Sequence, residues 1–330
     1  MPLTLYSEAD LVKDTLESRT IAVVGYGNQG RSHALNLRDS GYRVIVGQRA
    51  GQSFDRAVED GFDPMPVAEA VSASQLIILG LPDESAGEVY QSDMAGNLAP
   101  GQTLGFIHGF NIRFGYIDPP AGVDVVMVSP KGPGTLLRSL YAQGKGLISL
   151  LAVERDHSGS AESTALSWAL GIGSGHAGII KTTFASETET DLFGEQAVLC
   201  GGLTAMMKAA FETLVEAGYE PECAYLECIH ELKQIADLVY IEGISAMRHR
   251  ISNTAEYGDL TRGPVVVDAD TRKRMREILA SIRDGSFADE WIQEYRSGAP
   301  RFRSLYEADC DTPLEAAGKN VRALMPWLAP

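Results

Sequence analysis

The chain has 330 residues, about two domains' worth at roughly 150 residues per domain. Hydrophobic residues make up 45% and charged residues 22%, an ordinary globular composition that excludes long disorder and low complexity. With 28 Lys+Arg against 44 Asp+Glu the net charge is −16, which argues against nucleic acid and against anionic lipid as partners.

The N-terminus, Met1-Pro2-Leu3-Thr4-Leu5-Tyr6-Ser7-Glu8, shows no basic n-region and no long apolar h-region, so no signal peptide is expected. The longest apolar runs, such as 75–81 and 147–153, fall short of the roughly 20 residues a membrane span needs. Cys200, Cys223, Cys228 and Cys310 form no CxxC pair, and Cys200 and Cys228 read as core thiols. A reducing cytoplasm is the expected location.

Short β-like runs at 20–25, 42–47, 75–81, 103–108, 123–129, 147–153 and 178–184 alternate with helical patterns at 30–40, 54–61, 67–73 and 84–96. This alternation predicts an α/β domain with a mostly parallel sheet. From Glu187 onward the periodicity is helical, at 190–200, 203–217, 224–241, 269–284 and 313–325, with only 264–267 reading otherwise. The expected organisation is a dinucleotide-binding domain over 1–182 and an all-α domain over 183–330.

The first motif is Gly25-Tyr26-Gly27-Asn28-Gln29-Gly30, a G-x-G-x-x-G between an apolar strand and a helix. Gly25 makes the tight turn, Gly27 admits a pyrophosphate and Gly30 lets the helix pack against the strand. The helix N-terminus adds amide donors, and Arg31 could add charge toward the phosphates. After the second strand, where NAD sites commonly carry an acid, stand Gln48 and Arg49, with Ser53 nearby; an arginine there suits the 2′-phosphate of NADPH. An exposed loop arginine is the plainer alternative.

The acidic pairs Asp191/Glu195 and Glu227/Glu231 are each four residues apart among apolar neighbours. On a helix such like charges share a face and repel, and a hard divalent cation such as Mg²⁺ would relieve that. Solvated helix faces would explain the same spacing. His108 ends a strand on the side where open α/β sheets bind ligands, and Lys131 sits in the stiff turn Ser129-Pro130-Lys131-Gly132-Pro133-Gly134. Both admit structural roles, and Ser252 reads equally as a substrate contact or as a helix cap. His230 and His249 read as surface or structural residues.

Taken in order, these motifs resemble ketol-acid reductoisomerase from Gly25 to about Gly263. The most specific are the stretch 187–202 (ETETDLFGEQAVLCGG), Glu227-Cys228-Ile229-His230-Glu231-Leu232-Lys233 and Ser252-Asn253-Thr254-Ala255-Glu256-Tyr257-Gly258. The resemblance implies a Rossmann-type domain followed by a knotted all-α domain, in the family's short form. It implies two Mg²⁺, held by Asp191, Glu195 and a partner subunit's Glu227 and Glu231, within an interlocked homodimer or higher oligomer. His108, Lys131 and Glu231 would be catalytic, and Ser252 would hold the substrate carboxylate. The cofactor, NADPH with NADH possible, would lie against Gly25, Tyr26, Gly27, Asn28, Gln29, Gly30, Arg49, Ser53 and Gly134. The implied substrate is a small 2-hydroxy-3-keto acid.

The chain departs from the family pattern where Gly47-Gln48-Arg49-Ala50-Gly51-Gln52 lacks a serine at its end, which weakens the 2′-phosphate reading. Two other readings stay open at this point. One is a metal-free β-hydroxyacid-type dehydrogenase that uses a lysine, and the other is a non-catalytic dinucleotide sensor.

Overall fold

The computed structural model describes residues 3–11 and 14–328. The branched apolar run after Arg19 forms a fully buried strand, as the near-continuous hydrophobicity of a two-sided sheet requires. In chain order the first part contains β1 (Leu5–Tyr6), β2 (Thr20–Val24), α1 (Asn28–Asp39), β3 (Arg43–Gly47), α2 (Gln52–Glu59), α3 (Val67–Ser72), β4 (Leu76–Leu79) and α4 (Asp83–Val89). Then follow β5 (Thr103–Phe106), α5 (Phe110–Arg113), β6 (Asp124–Pro130), α6 (Gly134–Ala142), β7 (Ser149–Arg155), α7 (Ala161–Gly171) and β8 (Ile179–Lys181). The second part is helical: α8 (Phe184–Gly194), α9 (Gly201–Glu216), α10 (Pro221–Tyr225), α11 (Leu232–Glu242), α12 (Ile244–Arg248), α13 (Asn253–Val266), α14 (Ala269–Arg283), α15 (Ser286–Arg296), α16 (Pro300–Cys310) and α17 (Pro313–Ala323).

The eight strands form one sheet in the order β1-β8-β7-β6-β5-β4-β2-β3. The run β3-β2-β4-β5-β6 is parallel, whereas β7 pairs antiparallel with β6 and β1 antiparallel with β8. The chain leaves β2 toward β3 on one side and returns to β4 on the other, which makes a switch point between β2 and β4. Successive residues serve opposite faces. In β4, Leu76 and Ile78 join the core around Trp168 and Leu37, and Ile77 and Leu79 join the core around Tyr90, Met94 and Phe184.

The chain divides into two compact units, Met1–Thr190 and Asp191–Pro330, with the division inside α8. The second unit has a small core of its own, where Phe211 of α9, Ala224 and Tyr225 of α10, and Ala317 and Val321 of α17 are buried together. Gly318 permits that contact, since a Cβ there would lie 2.6 Å from the Tyr225 ring.

Four expectations are corrected. The last β-like run shortens to Ile179–Lys181, and Phe184, expected at its end, instead starts α8. Pro264 lies inside α13, two residues before its end, where its missing N–H removes one intrahelical donor. Cys200 is exposed rather than a core thiol, and Cys228 is only half-buried. Phe184–Glu216 is a continuous helical stretch of 33 residues, long and apolar enough by length and composition to cross a membrane. Lys208 and Glu212 interrupt its apolar residues in sequence, so no single run showed it.

Candidate active site

The glycine loop lies at the carboxyl end of β2, beside the switch point. Gly25 has φ +92°, and a Cβ on it would come 2.6 Å from the Gly80 carbonyl oxygen just past β4. A Cβ on Gly30 would strike the Gly25 carbonyl oxygen at 2.1 Å. These two glycines are therefore required by packing alone. Gly27 differs: it is exposed, and a Cβ there would meet nothing within 4 Å. That open space, at the first amides of α1, leaves room for an anion such as a pyrophosphate.

The other expected cofactor residues have mixed placements. Asn28 and Arg49 are exposed, and Ser53 lies half-buried in the first turn of α2. Gln29 Nε2 donates to the Gly132 carbonyl at 3.0 Å, and a Cβ on Gly134 would come 2.2 Å from the Asn28 carbonyl oxygen. Gln29 and Gly134 thus tie α6 to the glycine loop. Tyr26 is buried, with its hydroxyl donating to Asp60 at 2.9 Å, so its side chain serves the fold. Arg31 is corrected: it does not turn to the loop but forms a two-pronged ion pair with Asp60 at 2.6 and 2.9 Å.

Past the carboxyl ends of β5 and β6 stand His108 and Lys131, which meet at a residue that spacing did not single out, Glu187 on α8. Its side chain is fully buried, and both carboxylate oxygens accept hydrogen bonds. Oε1 takes Ser129 Oγ at 2.7 Å and Lys131 Nζ at 2.8 Å. Oε2 takes the Gly109 N–H at 3.1 Å and lies 3.1 Å from His108 Nδ1. Burial pushes the Glu187 carboxyl up, but His108 and Lys131 outweigh it and hold the group down to about 2. Glu187 is therefore a fixed anion that orients a lysine and a histidine. Glu187 sits in a matched motif, but no local pattern shows that its carboxylate meets side chains 56 and 79 residues away.

One turn further along the same helix, Asp191 brings another oxygen into reach. One ligand atom each of His108, Glu187 and Asp191 lies within 4.8 Å of the others, and no second such group occurs among the described residues. With Glu187 saturated, Asp191 is the carboxylate there best suited to a hard divalent cation. Glu195 and Glu231 flank two π turns, in which the Cys200 and Glu231 amides reach back five residues to Glu195 and Leu226 at 3.0 Å. Such turns recur at functional sites. Glu195, Glu227, Glu231 and Ser252 are all exposed in the single chain, and the Ser252 hydroxyl accepts from the Ala255 amide at 3.2 Å, capping α13.

Residues 15–178 match the family model of the acetohydroxy acid isomeroreductase NADPH-binding domain, and 184–327 match the ketol-acid reductoisomerase C-terminal domain. The chain belongs to the ketol-acid reductoisomerase family. An NADH-preferring ketol-acid reductoisomerase from an uncultured archaeon is 42% identical, with a TM-score of 0.95 over 98% of this chain and 99% of that one. A semialdehyde dehydrogenase NAD-binding protein from Cupriavidus necator shares the fold at 18% identity, with a TM-score of 0.63 over 81% of this chain and 99% of that chain. So does a pyrroline-5-carboxylate reductase from Coxiella burnetii, at 14% identity with a TM-score of 0.53 over 81% of this chain and 97% of that one. The first unit is thus a Rossmann-like, nicotinamide-dinucleotide-binding domain, and the second is the family's helical domain.

Proposed function

We propose that the enzyme converts 2-acetolactate or 2-aceto-2-hydroxybutyrate into the 2,3-dihydroxy-3-methyl acid of branched-chain amino-acid synthesis. The observation that carries this reading is the buried Glu187 holding Lys131 and His108, with Asp191 one turn away on α8. In the reaction the C2 hydroxyl loses its proton, and the alkyl group on C2 moves to the neighbouring carbonyl carbon. That leaves a ketone at C2. The oxygen on the carbon that received the alkyl group regains a proton, and hydride on C2 with a second proton on its oxygen completes the dihydroxy acid.

Asp191 and Glu195, with Glu227 and Glu231 of a second chain, would hold two Mg²⁺. When bound, these ions supply the positive charge that lowers the hydroxyl's pKa and polarises the carbonyl. The nicotinamide supplies the hydride, with NADPH the proposed donor and NADH accepted. Glu231 carries a proton to or from the substrate oxygens. Lys131, fixed by Glu187, presents its ammonium to the developing negative charge, the electrostatic support that commonly contributes most in such reactions. Ser252 accepts a backbone amide and so keeps its own proton to donate to the substrate carboxylate. Arg49 lies at the cofactor's 2′ position.

The homodimer is part of the same proposal. The acidic groups beyond Asp191 stand exposed in one chain, among exposed Leu199, Leu226, Tyr240, Ile241 and Tyr257. A second copy would cover those apolar groups and bring its carboxylates to the first chain's Asp191. The test is NADPH or NADH oxidation with 2-acetolactate, with Mg²⁺ and with EDTA. Mg²⁺-dependent turnover is expected, and turnover unaffected by EDTA would overturn the metal reading. Co-expressed, differently tagged Asp191→Ala and Glu231→Ala chains should regain about half the wild-type activity per mixed dimer, because one of its two sites is intact. Mixed dimers as inactive as either parent would place each site within one chain.

A further inference from the structure

Between Glu187 and Asp191 on α8 stands a third acid, Glu189, which lies outside the group of ligand atoms formed by His108, Glu187 and Asp191. Glu187 and Asp191 are four residues apart and share a face of the helix. Glu189 is two residues from each, so it points roughly half a turn away from both. It is held there by Arg113, the last residue of α5, whose Nε and Nη2 donate to Glu189 Oε1 at 3.0 and 2.9 Å. The guanidinium is itself seated over the Phe114 ring, 5.2 Å from its centroid. One turn earlier in the same short segment, the Gly109 amide donates to Glu187 Oε2 at 3.1 Å.

The segment also packs tightly on the helix between these two contacts. A Cβ on Gly109 would come 2.3 Å from Thr188 Oγ1 and 3.2 Å from the Phe184 ring. Residues 109–113 therefore grip α8 at 187, 188 and 189, on both sides of its axis. Turning α8 about that axis would break the Glu187 bond or the Glu189 pair. With the Gly109 bond alone, the helix would have one hinge and no stop. The side chains of Arg113 and Glu189 are 27% and 20% exposed. An ion pair so near solvent contributes little to stability, so its importance is geometric. The face it fixes is the one on which a ligand atom of Asp191 lies within 4.8 Å of one on Glu187 and one on His108.

We propose that Arg113 and Glu189 are positioning residues: their ion pair fixes the rotation of α8 and so presents Asp191 to the divalent cation. This rests on the reading that Asp191 holds such a cation. The pair acts through the helix and not through its charges. Charge alone predicts something different for each partner. Removing the positive Arg113 would strengthen cation binding, and removing the negative Glu189 would weaken it. Loss of position weakens binding in both cases, and it does so once, because either change releases the same pair.

The test is Mn²⁺ binding to the intact enzyme, followed by water-proton relaxation with no substrate and no turnover, for wild type, Arg113→Gln, Glu189→Gln and the double variant. Each single change should weaken Mn²⁺ by about tenfold or more, the usual loss when a group that orients a metal ligand is removed. The double variant should bind no more weakly than either single one. NADPH binding and the thermal midpoint should stay near wild type in all three variants. Unchanged or tighter Mn²⁺ binding by Arg113→Gln would overturn the positioning role, and so would losses that add in the double variant. An equal loss of NADPH affinity would also overturn it, since the pair would then merely support the first unit. Wild type that binds no Mn²⁺ would overturn the metal reading itself, and the positioning role with it.

Discussion

In the first unit the strands send apolar residues inward on both faces. Trp168, Leu37 and Val128 lie on one side and Tyr90, Met94 and Phe106 on the other, all at 3% exposure or less. Among the described residues its exposed large apolar side chains are few: Leu3, Leu5, Val58, Leu136 and Ile148. The second unit has one small core around Tyr225 and exposes Tyr240 at 87%, Ile241 at 72%, Val265 at 69% and Tyr257 at 68%, among others. So many exposed large apolar side chains in one unit are what an interaction face would supply. The same unit exposes Glu195, Glu227, Glu231 and Ser252, whereas the first buries its central carboxylate, Glu187. One unit completes its core and its anion network within a single chain. The other carries groups that, in the proposed dimer, a second copy completes.

The hardest blow to that contrast is a charge placed on each exposed face. Ile241→Asp should abolish turnover and yield monomers in sedimentation, while NADPH binding by the first unit stays within a few-fold of wild type. Val58→Asp, at an exposed position of the first unit, should change neither. An Ile241→Asp protein that stays dimeric and active would remove Ile241 from the interface.

Next in size is the core of the first unit. Trp168 is fully buried, its indole N–H donates to His33 Nδ1 at 3.0 Å, and Gly105 leaves room for the ring. Trp168→Ala should cost about 3–5 kcal/mol in urea unfolding. The loss should not depend on protein concentration, because no second chain is involved. A loss under about 1 kcal/mol would mean that the ring is not a keystone of this core.

The same contrast explains what could be read from the residues in order. The parallel strands and the glycine loop were legible because a two-sided sheet writes itself as short apolar runs and the loop as fixed glycines. The antiparallel partners were not: two residues, Leu5 and Tyr6, make β1, and direction leaves no mark in the composition of β7. Among site residues, His108 and Lys131 were visible at strand ends. Glu187 was hidden because its role lies in contacts with Ser129, Lys131 and His108, all distant in sequence. In the second unit, apolar residues that face outward weaken the inside–outside pattern on which helix reading depends. Pro264 inside α13 and exposed Cys200 are products of that ambiguity.

A smaller effect is a pH dependence confined to the first unit. His33 is fully buried, and burial pushes its pKa down from 6.5 to about 3. As pH falls the unfolded chain binds this proton first. The stabilisation is therefore complete above about pH 6.5 and is lost progressively toward pH 3. At about 1.4 kcal/mol per pH unit, going from pH 6.5 to about 5 should cost His33 about 2 kcal/mol. His33→Gln keeps an acceptor for the Trp168 indole N–H but cannot titrate there. The stability difference between the two proteins should therefore shrink or reverse on acidification, and a constant difference would show that His33 does not govern this slope.

The smallest expected effect separates the two readings of Ser252, and it lies in the second unit. As a cap, the hydroxyl accepts from the Ala255 amide; as a substrate contact, it donates its proton to a carboxylate. One oxygen can do both, so loss of activity in Ser252→Ala cannot tell them apart. Aspartate can. Asp is as good an N-cap as Ser, so Ser252→Asp should match wild type in thermal stability, whereas Ser252→Ala should lose about 1 kcal/mol. Aspartate has no proton to give at neutral pH and repels a carboxylate, so Ser252→Asp should raise the KM for 2-acetolactate more than Ser252→Ala does. For Ser252→Ala the rise should be tenfold or somewhat more, as for a lost hydrogen bond to a charged group. An aspartate variant that is stable and keeps a wild-type KM would leave Ser252 as the cap of α13 and nothing more.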